Sequence, residues 1–91
     1  MEILEFSYNA ILLHKEIADI SSKNIISDVG VGVQCLKAAL NSAYLNVLIN
    51  LNSIDDENYI NTQKEKSKRL VDIGTKIADE VYEKVVTRLC E

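Results

Sequence analysis

Residues Ser27–Ile54 read SDVGVGVQCLKAALNSAYLNVLINLNSI, and this stretch decides the fold. After Asp28 its only charged side chain is Lys37, yet it carries Asn41, Ser42, Asn46, Asn50, Asn52 and Ser53. A surface helix would be studded with lysine and glutamate, and a membrane span would not hold four asparagines. The segment therefore reads as a helix buried within protein. Burying amides and hydroxyls without partners costs roughly 1–3 kcal/mol each. A neighbouring helix, a second subunit or a ligand is expected to satisfy them.

At about 100° per residue, Val29, Val33, Leu36, Leu40, Tyr44, Val47 and Leu51 gather into one apolar stripe. Cys35, Ala39, Ser42, Asn46, Asn50 and Ser53 form a second stripe that is small and polar. Such a helix is expected at the centre of a bundle, packed on at least two sides, with Ser27 and Asp28 as its N-cap residues.

Outward from this centre the helical period recurs and no strand-like alternation appears. Upstream, Ile3, Phe6, Ala10, Leu13, Ile17 and Ile20 follow alternating spacings of three and four, which predicts one buried stripe. Ser21-Ser22-Lys23-Asn24 ends that period, because short polar side chains compete with the helical backbone. Downstream, Ser53 to Asp56 has the form of a capping box. A polar stretch, Asn61 to Arg69, is expected to be solvated. Leu70, Ile73, Ile77, Val81, Val85 and Leu89 then mark the buried face of the last helix. Gly74 costs that helix about 1 kcal/mol relative to alanine, which close approach of another helix would justify. The reading is all-α: a single unit over 1–91, with helices at about 2–21, 28–52 and 55–90.

Ninety-one residues make a small domain with a thin core, so a partner surface is expected. A net charge of −4 argues against nucleic acid, which needs a basic face. No secretion signal and no run of 18 apolar residues is present, so a cytoplasmic protein that does not enter membranes is expected. Cys35 and Cys90 have no metal-ligand spacing around them and are expected to be free, buried and inert. His14, the single histidine, has no partner at ligand or triad spacing and reads as a partly exposed structural residue. The tyrosines Tyr8, Tyr44, Tyr59 and Tyr82 are scattered and are expected in the core or at its rim.

The segments SDVGV, AAL and NVLINLNSIDDENY resemble the cyclodeaminase/cyclohydrolase family of folate enzymes, with Ser27, Asp28, Val29, Gly30, Asn46, Asn50, Leu51, Ile54 and Asp56 as its fixed points. Members of that family are about twice as long. Their N-terminal half carries a Gly-Gly-Gly-Ser type motif that has no counterpart here, so the chain corresponds to the C-terminal half. The resemblance implies a helical subunit that dimerises through helix packing, or that joins a separate N-terminal half. It implies a tetrahydrofolate derivative as substrate and no covalently bound cofactor, and the residues give no reason to expect a metal. The reaction would be loss of ammonia from a 5-formimino folate or hydrolysis of a methenyl bridge.

On that resemblance Asp28 is the candidate catalytic residue, since both reactions move protons on and off nitrogen and oxygen. A helix cap is its alternative role. Ser27, Gly30, Asn46 and Asn50 are the candidate substrate-binding residues. Gly30 and Gly32 either admit a flat pteridine or allow helix packing. Asn46 and Asn50, spaced i,i+4, point the same way and either read a pterin or bond a neighbouring helix. Lys64, Lys66, Lys68 and Arg69 either meet the glutamyl tail of a folate or form a solvated face. A non-catalytic helical association module is the competing reading.

Overall fold

The computed structural model describes residues 1–91 as three helices: α1 (Glu2–Ile20), α2 (Lys23–Leu51) and α3 (Glu57–Leu89). Each packs against the other two in a rod of 53 × 16 × 15 Å. No helix is long and apolar enough to cross a membrane. The fold is the expected all-α three-helix arrangement, but several local expectations need correction.

The first concerns where α2 begins. Ser27 and Asp28 lie inside the helix, which starts at Lys23 behind the N-cap Ser22, so neither residue caps it. Ile26 explains the difference. It is fully buried and extends the stripe of Val29 and Val33 backwards by one turn, so packing carries the helix through the serine and the aspartate. The turn shrinks to Ser21 and Ser22. Ser21 Oγ donates to the carbonyl of Ile17 at 2.6 Å.

A second correction concerns the α2–α3 junction. Ser53 closes the end of α2, its hydroxyl donating to the Asn50 carbonyl at 3.0 Å. Asp56 alone caps α3, accepting from the Tyr59 amide at 3.1 Å. The expected capping box is therefore split between two helix ends.

The third correction is the largest. Four of the six residues in the apolar stripe predicted for α1 face outward, while Ala10 is half-buried and Ile17 packs half-buried against the core. Phe6 is 74% and Ile20 85% exposed, and Ile3 and Leu13 are exposed with them. The buried face of α1 is Leu4, Ser7, Ile11 and Ala18. In α3 the buried set is Ser67, Val71, Gly74, Ala78, Val81 and Val85, whereas Ile73 and Leu89 are exposed. Small residues win these positions because slender contacts let three axes approach one another. A Cβ on Gly74 would sit 2.6 Å from Leu40 Cδ2 and 3.1 Å from the Tyr8 ring. One on Gly30 would sit 2.9 Å from Val85 Cγ1. Ser67, in the stretch expected to be solvated, is fully buried and spends its hydroxyl on the Gln63 and Lys64 carbonyls.

Tyr8 and Tyr44 sit half-buried against the core, while Tyr59 and Tyr82 are exposed. Cys35 and Cys90 are free but exposed, contrary to expectation, because both lie on outward faces.

Arg88 ties the ends of α1 and α3 together at one end of the rod. Its guanidinium donates to the Ala18 carbonyl at 3.1 Å and the Ser21 carbonyl at 2.8 Å. The last turn of α1 has no basic residue of its own, so a side chain from α3 satisfies its terminal carbonyls. Arg88→Ala should lower the unfolding free energy by about 1.5–3 kcal/mol in urea titrations, the range for hydrogen bonds to charged groups. Gly74→Ala should also destabilise, by about 1 kcal/mol in the same titrations. There the cost of overpacking a fully buried Leu40 exceeds the gain in helix propensity.

Candidate functional site

The candidate residues all lie on α2, but on two different flanks. Successive residues turn by about 100°, so Asp28, Gly32, Asn46 and Asn50 fall within an arc of about 40°. This line faces α1. Ser27 and Gly30 fall on the flank toward α3, where Gly30 meets Val85. Adjacency in sequence therefore separates Ser27 and Gly30 from Asp28, whereas residues 18 positions apart come into line.

Asn46 and Asn50 line a groove of about 490 Å³ between the start of α1 and the end of α2, with Ala43 and Val47 beneath and Ile3 beside them. Ser27 and Gly30 line a second groove, of about 350 Å³, walled by Val31, Tyr82, Val86 and Leu89. Asp28 borders neither. Along the helix, Gly30 and Asn46 are roughly 24 Å apart, and Asp28 and Asn46 roughly 27 Å, at about 1.5 Å per residue. One chain does not gather the candidates around one small molecule.

The expected burial of the polar stripe is not met within the chain. Asn46, Asn50, Ser42 and Cys35 are exposed, and only Ala39 is half-buried. Three helices have too few faces to enclose the outer side of α2, so that stripe faces solvent.

A group that the sequence reading set aside joins the line of Asp28. His14 of α1 lies over Gly32, one turn from Asp28 on the same flank. A Cβ at position 32 would be 2.5 Å from His14 Nε2. His14 Nδ1 lies 2.8 Å from the Ala10 carbonyl. A carbonyl only accepts, so Nδ1 carries the proton, and in the neutral ring Nε2 has a free lone pair. The glycine thus seats a half-buried imidazole whose basic nitrogen faces α2. No feature of the sequence marked this pair. A glycine and a histidine 18 residues apart meet only because the short turn folds α1 back along α2.

Two of the four residues in the basic run of α3 are engaged in ion pairs. Lys66 pairs with Glu5 at 3.3 Å, and Lys68 with Asp72 at 2.7 Å. The hydrogen bond that Lys68 donates to the Asp72 carboxylate, helped by the Asp72 charge, holds the Lys68 ammonium above its ordinary range. Both pairs are solvated, which is the surface-face alternative for this run. No group of three or more histidine, cysteine, aspartate or glutamate side chains is placed to hold a metal ion.

No curated protein and no solved structure matched this chain. A family model described as formiminotransferase-cyclodeaminase matches residues 1–69. That span takes in α1, α2 and the first part of α3, and with them every candidate residue on α2. The chain belongs to the formiminotransferase-cyclodeaminase family.

Proposed function

We propose that this chain serves folate one-carbon chemistry, as a cyclodeaminase- or cyclohydrolase-type helical unit acting on a tetrahydrofolate derivative. The family match over residues 1–69 carries this reading. In the deaminase form of the reaction, the second folate nitrogen bonds to the formimino carbon and loses its proton. The carbon–nitrogen bond to the departing nitrogen breaks, and that nitrogen, which holds one hydrogen in the formimino group, takes up the released proton and one more from solvent and leaves as ammonia. In the hydrolase form, water adds to the methenyl carbon and one carbon–nitrogen bond breaks. Both need a group that takes a proton and returns it. Asp28 is the proposed carboxylate, with the free Nε2 of His14 one turn away. Asn46 and Asn50 offer the paired amides that suit the donor and acceptor edge of a pterin.

The competing reading is a non-catalytic association module. The exposed apolar faces of α1 and α2 favour it, since a monomer gains nothing from Phe6 and Ile20 in water.

Isothermal titration with 5-formyltetrahydrofolate separates the two. Saturable binding is expected, and Asn50→Ala should weaken it about tenfold, the equivalent of one hydrogen bond near 1.4 kcal/mol. Absence of binding favours the association module. Where ammonia release from 5-formiminotetrahydrofolate is measured, Asp28→Asn should slow turnover by roughly 100-fold or more. Unchanged turnover would remove Asp28 from the chemistry.

A further inference from the structure

Two grooves at one end of the rod share a wall. The groove that holds Asn46 and Asn50 adjoins another of about 190 Å³, and Met1, Val47 and Asn50 line both. The smaller groove runs on past the end of α2 to Tyr59 and Gln63 of α3, over Leu51 and Ile54. The two are therefore halves of one cleft, with Asn50 at their junction. Its second half was not among the candidate residues read from the sequence.

The polar and aromatic side chains of this cleft are paired by helical spacing. Asn46 and Asn50 are i,i+4 on α2, and Tyr59 and Gln63 are i,i+4 on α3, so the members of each pair point one way. Asp56 caps α3 through the Tyr59 amide, which fixes the turn that carries the ring. Tyr59 is 49% exposed, so much of its ring is uncovered. The main-chain carbonyls of Asn50 and Gln63 accept from Ser53 and Ser67. The side-chain amides of Asn46, Asn50 and Gln63 have no partner within the chain.

An uncovered aromatic ring beside free amides suits a flat heterocycle with donors and acceptors along its edge. Charge narrows the choice further. The one charged side chain on the cleft is Glu2, at the far end from Tyr59, and no lysine or arginine lines either half. The cleft is thus not built for a phosphate or a carboxylate tail, which call for cationic donors.

We infer that Tyr59 is the platform on which the pterin ring of the folate stacks, and that Gln63 together with Asn50 bonds the edge of that ring. This rests on the folate reading given above and adds to it two binding residues on a second helix. The aminopyrimidinone edge of a pterin carries the donors and acceptors that side-chain amides match. The aminobenzoyl ring has no such edge, and the glutamate beyond it is anionic. That part of the molecule points out of the cleft.

Titration of the whole chain, followed by nitrogen–proton correlation spectra, tests the assignment. 5-Formyltetrahydrofolate and 6-hydroxymethylpterin are each expected to shift the side-chain amide signals of Asn50 and Gln63, whereas p-aminobenzoylglutamate leaves them in place. With unchanged helical circular dichroism, Tyr59→Ala should weaken 5-formyltetrahydrofolate about tenfold, Gln63→Leu about fivefold, and Tyr59→Phe, which keeps the ring, less than about twofold. Binding that shifts only the groove of Ser27 and Gly30, or that Tyr59→Ala leaves unaltered, overturns this assignment while the folate reading stands. Guanosine shows the same aminopyrimidinone edge, and binding it as tightly as the pterin would overturn the assignment in favour of a nucleoside. Absence of binding by both the folate and the pterin removes the folate reading, and the pterin platform with it.

Discussion

Close approach of the three helix axes is the constraint on which the rest of this molecule depends. At the points of nearest contact the chain has no side chain, or almost none: Gly30 against Val85, Gly74 against Leu40 and Tyr8, Gly32 beneath His14. Ser7, Ala18, Ser67 and Ala78 complete the tight positions. Larger residues there would push the axes apart and open voids around Leu4, Ile11, Val33 and Leu40. The packed interior is therefore slender, and it has no room for many of the bulky side chains the sequence carries. Ile3, Phe6, Leu13 and Ile20 are outside because the core is closed to them, not because they are suited to water.

That exclusion sorts the surface into two characters. α3 carries most of the charge, much of it in solvated pairs such as Lys68 with Asp72 and Lys84 with Asp19. The strip formed by Ile3, Phe6 and Leu13 of α1 and by the outer face of α2 is apolar or small and neutral. Isolated surface ion pairs contribute little to stability, so the role of the α3 face is to keep one side of the rod in water. The sidedness sets which face is free to associate. It also places the candidate chemistry, since Asp28, His14, Asn46 and Asn50 border the neutral face.

Much of this was legible in the residues. The uncharged middle of α2 announced a helix with demands on both sides, and its inner stripe from Val29 to Leu51 packs as the period requires. The helix count, and the ends of α1 and α3 to within a few residues, followed from the same period. The facing of α1 did not. It has apolar residues on two adjoining faces, and periodicity favours the bulkier set, while packing chose the one with Ser7 and Ala18. Ser27 and Asp28 misled for a related reason: a good cap sequence inside a helix is silent once Ile26 is anchored upstream. On the site, sequence spacing put Asn46 and Asn50 side by side. Only the fold set His14 over Gly32, because that contact depends on a two-residue turn.

The Arg88 clamp has a bearing on how the chain is made. The carbonyls it holds, Ala18 and Ser21, precede it by 70 and 67 residues. During synthesis α1 and α2 emerge first and can pair along their shared flank, yet the end of α1 has only water for a partner until α3 is made as far as Arg88. The last turn of α3 thus acts as a latch on the end of α1. A nascent chain stalled short of it would present a frayed helix terminus to the proteases and chaperones at the ribosome exit.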